Sequence, residues 1–153
     1  MKELFEYREK LVARVAEATK EFCSVCEAYK KPFEKIDGDW NVHQIASHTR
    51  DVENQIYGAR VRKTLYEDNP HFKSFDADAW MKNHYNKDEP LNKILIDFDS
   101  SVTELCNILK GLPHASWSRL SSHESAGSEL TLQVWVERSL AHIEEHLRTL
   151  KKS

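Results

Sequence analysis

Ser139-Leu140-Ala141-His142-Ile143-Glu144-Glu145-His146-Leu147 carries the period on which the rest of the chain turns. At roughly 100° per residue, Leu132, Val136, Leu140, Ile143, Leu147 and Leu150 gather on one arc, as in a helix that packs on other helices. His142 and His146 fall on the edge of that arc beside Trp135 and Ser139, and so face the side of a core. Side chains four residues apart on a helix stand one above the other. At that spacing two imidazoles reach one metal ion, as in helical zinc motifs. The same spacing also suits a surface pair, or core histidines satisfied by carbonyls. A metal site needs a third ligand.

Working outward, the same period recurs. Leu4, Leu11, Val12, Val15, Phe22, Val25, Cys26 and Tyr29 predict a first helix from about Glu3 to Lys30, with Pro32 just past its end. Residues 31–40 form a short connection, and Asn41 with Gln44 reads as a capping box. The second helix then carries Val42, Ile45, Thr49, Val52 and Ile56 on its apolar arc. His48 flanks that arc as His142 and His146 flank theirs, in position to be the missing ligand. His43 falls on the outer side and reads as solvated.

Between Glu67 and Asp88 the pattern breaks into Asp68-Asn69-Pro70 and then Phe72, Phe75, Trp80 and Tyr85, with Asp76 able to cap a short helix over Ala77–His84. Connections of this length join helices that are not antiparallel neighbours. Asp88 caps a third helix, with Pro90 in its first turn. Leu91, Ile94, Leu95, Phe98, Val102, Leu105 and Leu109 form its stripe, and Gly111 and Pro113 stop it. The loop 112–130 holds Trp117, His123 and Gly127, and the fourth helix starts near Thr131. Four amphipathic helices without an alternating strand pattern, repeat or linker predict an all-α four-helix bundle in one domain over 1–153.

Composition agrees with a helical domain. Four glycines and four prolines among 153 residues, with 31% charged, leave room for few turns. The net charge is −3 and basic residues are interleaved with acidic ones, which argues against nucleic acid and anionic lipid as partners. Met1-Lys2-Glu3-Leu4-Phe5-Glu6 is charged and amphipathic, unlike a signal peptide. No apolar run approaches the roughly 18 residues of a membrane span. A soluble, cytoplasmic protein is expected. Cys23-Ser24-Val25-Cys26 has thioredoxin-like spacing but lies inside a helical pattern with no βαβ unit around it, so buried thiols are expected there.

Trp40-Asn41-Val42-His43-Gln44-Ile45-Ala46-Ser47-His48 followed by Asp51-Val52-Glu53 resembles the second-helix signature of the DinB/YfiT-like superfamily. Trp117…His123-Glu124…Gly127…Leu130-Thr131-Leu132 and Ala141-His142-Ile143-Glu144-Glu145-His146-Leu147 are similar to its later segments, and Phe75-Asp76…Trp80 fits its crossover. The resemblance covers nearly the whole chain, in order. It implies a bundle of up-down-down-up topology, with helices two and three parallel across the long crossover. It also implies that His48, His142 and His146 bind a divalent metal, commonly zinc or nickel. Members include thiol-dependent transferases and isomerases and metal-dependent hydrolases. The implied partners are a small-molecule substrate, a low-molecular-weight thiol and a second copy of the chain in a homodimer.

Chemistry supports the same site independently. Three imidazoles from two helices leave coordination positions open, the arrangement of catalytic rather than structural zinc. An open site activates water or a thiol equally well, so the ligands do not choose between hydrolysis and thiol transfer. Each ligand imidazole also needs a partner for its other nitrogen. Asp51, Gln55 and Ser139 lie on the ligand-bearing sides of their helices and are candidates. Glu53 reads as a structural or pocket residue, His123 as a loop-packing histidine and Trp135 as core. No general acid or base stands in fixed register with the ligands. A non-catalytic bundle, with an adventitious metal or a partner on its aromatic crossover, is the competing expectation.

Overall fold

The first long period becomes α1, Lys2–Ala28, in a computed structural model that describes residues 1–152. Its buried face comprises Leu11, Val12, Val15, Ala18, Phe22 and Cys26, and its end at Tyr29 is extended, ahead of Pro32. A hairpin of β1 (Lys35–Asp37) and β2 (Trp40–Asn41) follows. It turns at Gly38, whose φ of +57° is the left-handed conformation that glycine adopts without strain. Asn41 then starts α2, Val42–Val52. Its side chain accepts from the Gln44 N–H at 2.8 Å, while its own N–H donates to Gln44 Oε1 at 2.9 Å.

The second rod is not a plain α-helix. Glu53–Tyr57 forms a π turn, after which α3 continues over Gly58–Tyr66. The Gly58 N–H donates to the Glu53 carbonyl five residues back. A Cβ on residue 58 would stand 2.7 Å from that oxygen, so only glycine lets the turn close. The connection that follows holds β3 (His71–Phe72) and α4 (Ala77–His84), which Asp76 caps by accepting from the Ala79 N–H at 3.0 Å. Then come α5 (Leu91–Lys110), a 3-10 turn at His114–Ser118, β4 (Leu120–His123), β5 (Gly127–Thr131) and α6 (Leu132–Lys151).

Residue pairs set the direction of each rod. Tyr7 bonds Glu137, Arg14 bonds Glu144 and Lys151 bonds Glu21, so α1 and α6 run in the same sense. Lys20 on Asp99 and Cys106 near the Val12 carbonyl set α5 against α1. Arg50 reaches Asp97 and Asn54 accepts from Ser101, so the second rod runs with α5. It runs against α6, since His48 meets His146 while Glu53 meets Ser139. Both α1 and the second rod pack on α5 and α6. The centre holds Phe22 edge-on to Phe98 at 5.3 Å, with Leu132, Trp135 and Ile143 fully buried.

The helical bundle matches the expectation from periodicity, and three details correct it. Five short strands are present: the β1–β2 hairpin and a three-stranded sheet in which β4 pairs with both β3 and β5. They are two to five residues long, too short for an alternation to announce them, and β3 finds its partner β4 some fifty residues on. Asp88 does not cap the helix after the crossover; Pro90 holds that position, without a side-chain cap. His43 is not solvated but 1% exposed, because the end of the crossover covers it. Its Nδ1 pairs with the Tyr85 hydroxyl at 2.6 Å and its Nε2 with the Glu89 carbonyl at 2.7 Å. Among the described residues no helix is long and apolar enough to cross a membrane.

Candidate metal centre

The capping box fixes where α2 starts and therefore where His48 points, two turns in. Antiparallel packing on α6 brings that ring against two others. His48 lies 5.0 Å from His146 and 5.6 Å from His142, centre to centre, and the last two are 4.5 Å apart. One nitrogen from each of the three falls within 4.8 Å of the others, and all three residues are half-buried. The Nε2 atoms of His142 and His146 approach to 3.0 Å. The structure therefore converges the three histidines that the sequence singled out.

Burial governs their charge. Desolvation pushes His142 down to about 3, assisted by the neighbouring His146 and His48. His146 falls to about 4, again chiefly by desolvation, with His48 adding to it and Asp37 opposing. His48 is lowered by burial too, against the pull of Asp78, Asp51 and Glu145. All three rings are thus neutral at pH 7, the state in which an imidazole offers a lone pair to a metal. The charges of Asp78, Asp51 and Glu145 act on His48 and that of Asp37 on His146, and each favours a cation at these rings. The donor set fits a divalent ion of zinc or nickel type, since imidazole nitrogen suits both.

The supporting residues sort themselves differently. Asp51 accepts from Arg50 Nε at 2.9 Å and from Trp80 Nε1 at 3.1 Å, and reaches His48 by charge alone. Ser139 is buried and its hydroxyl donates to Glu53. Gln55 is exposed and lines an outer cavity with Arg60. His142 Nδ1 is buried without a hydrogen-bond partner. Glu53 is fully buried, its Oε2 equally unpartnered, and desolvation raises its pKa to about 7. Trp135 is core, its indole N–H bonded to Ser121 Oγ at 2.7 Å. His123 packs its loop, with Nδ1 accepting from the Ser125 and Ala126 N–H groups at 3.1 Å. Cys23 and Cys26 are free thiols, and burial pushes Cys23 up to about 12 and Cys26 higher still, the opposite of a reactive pair.

Three neighbours escaped the sequence reading. The Tyr57 ring lies 5.4 Å from that of His142, and the charges of Arg60 and Arg138 act on its hydroxyl. Arg138 precedes His142 by one helical turn, a spacing visible in the sequence. Arg60 is brought in by the π turn, which ordinary helical periodicity does not contain.

A family model described as the DinB superfamily matches residues 3–150. No curated protein matches the chain. Among solved structures it is similar to YfiT from Bacillus subtilis, described as a probable metal-dependent hydrolase with an unusual four-helix bundle topology. The TM-score is 0.85 at 19% identity, over 96% of this chain and 85% of that one. At such identity the likeness shows the fold.

Proposed function

The chain belongs to the DinB superfamily, and from that premise we propose that it is a metal-dependent enzyme acting on a small electrophile. His48, His142 and His146 would hold one divalent ion, zinc or nickel. The observation that carries this is the convergence of three neutral imidazole nitrogens within 4.8 Å. When bound, the ion supplies a Lewis acid that brings a water or a thiol into its ionised form near neutral pH. Hydrolysis is the favoured reaction because YfiT is described as a probable metal-dependent hydrolase. Transfer of a low-molecular-weight thiol is the alternative that the same ligands serve.

The chain's own groups divide the remaining work. Burial keeps the three rings neutral, so no proton has to leave before metal is taken up. The negative charges of Asp37, Asp51, Asp78 and Glu145 favour a cation at the rings. Tyr57, held protonated by burial and set against His142, presents a hydroxyl donor to a developing negative charge.

Purification without a polyhistidine tag, followed by metal analysis, tests the site: one ion per chain is expected in the wild type and none in His142→Ala. An activated ester in water, and a reactive electrophile with an added thiol, then separate hydrolysis from transfer. A rate unchanged in His48→Ala would reject catalysis at this centre, and no metal in either protein would leave a non-catalytic bundle.

A further inference from the structure

Resting on the reading that the three histidines form the reactive centre, we propose that the substrate carries a carboxylate or phosphate. Arg60 and Arg138 hold that group where they meet over Trp135, one helical turn from His142 along α6. The guanidinium carbons of Arg60 and Arg138 lie 4.9 and 5.1 Å from the centre of the same Trp135 ring. Two like charges thus stand over one fully buried aromatic. Neither forms an ion pair among the described residues; Arg60 donates only to the Lys73 carbonyl, at 3.3 Å. Arg138 stands one helical turn before His142 on α6, and the Tyr57 ring meets His142 at 5.4 Å.

The cavity that Arg60 lines, of about 310 Å³, suits a small molecule. Lys63, His71 and Lys73 also line it, so its polar groups are almost all cationic or neutral. Two of the carboxylates nearby are committed to other partners. Glu124 accepts from the Ser74 N–H at 2.7 Å, and Glu53 is buried on Ser139. Glu145 is exposed and its charge also reaches Tyr57. In a chain of net charge −3, so many cations without carboxylates is a local device and not the general state of its surface. Guanidinium groups bind carboxylate and phosphate through paired, charge-assisted hydrogen bonds. Phe72 and Phe75 line the same cavity and give an apolar wall for the rest of the molecule.

Titration calorimetry of the full chain with phenyl phosphate and with benzoate, metal-free and zinc-loaded, tests the cleft. Saturable binding of one probe is expected, and the tighter one identifies the group. Arg60→Gln, and independently the exposed Arg138→Gln, should weaken it about tenfold or more while zinc stoichiometry stays unchanged. Absence of binding by both probes, or equal binding in wild type and both variants, overturns the proposal whether or not zinc binds. Loss of probe binding in the variants of a protein that takes up no zinc supports the cleft and rejects only the metal centre.

Discussion

His142 and Glu53 are both taken out of water, and the consequences for pH run in opposite directions. His142 and His146 are lowered to about 3 and about 4, so protons do not compete with a metal until the pH is near those values. Zinc-loaded protein dialysed at pH 5.5 should keep its metal, measured by elemental analysis; a loss centred near 6.5 would mean that the rings are ordinary. Depressed folded-state values also add stability above about 6.5, which is lost as pH falls through 4 and 3. Glu53 has the reverse sign. Its pKa is raised from 4.5 to about 7, so its favourable contribution is complete below 4.5 and disappears as pH climbs through 7. That rise corresponds to roughly 3 kcal/mol. Glu53→Gln, which cannot ionise, should abolish this dependence; urea unfolding at pH 5 and pH 8 would show a gap in the wild type that is smaller in the variant.

Gly58 decides the register of everything after it in the second rod. An added methyl meets the Glu53 carbonyl at 2.7 Å, so Gly58→Ala must open the π turn. Overpacking of this kind costs about 1–3 kcal/mol. Urea unfolding of Gly58→Ala should show that loss, and anion binding should weaken because Arg60 lies just beyond the turn. The same element marks how far sequence could be read. Asn41 and Gln44 announced the helix start, and through it His48, because a capping box is a local exchange of two hydrogen bonds. Helical angles assume an unbroken α-helix, so they carry no sign of the π turn at Glu53–Tyr57 or of the placement of Arg60 beyond it. They likewise put His43 outside, which is true of the rod alone; Tyr85 and Glu89, more than forty residues on, supply the cover. His142 and His146 were legible because four-residue spacing is itself the geometry.

For the molecule as a whole, the three histidines tie the second rod to α6 across more than ninety residues of chain. An ion there should stabilise only the folded state. Zinc at a hundredfold its dissociation constant should add about 2.7 kcal/mol, raising the melting temperature by several degrees, and His142→Ala should show no shift in a thermal scan. The packing order has a further result. Because α1 and the second rod each lie on α5 and α6, the N-terminal and C-terminal halves interleave, and β3 of one half pairs with β4 of the other. Each half lacks the partner surface its apolar faces need, so fragments 1–87 and 88–153, cut at the exposed Lys87–Asp88 link, should be unfolded alone and regain helical circular dichroism when mixed. The few residues between α4 and α5 are thus the sole covalent thread joining two halves that hold each other folded.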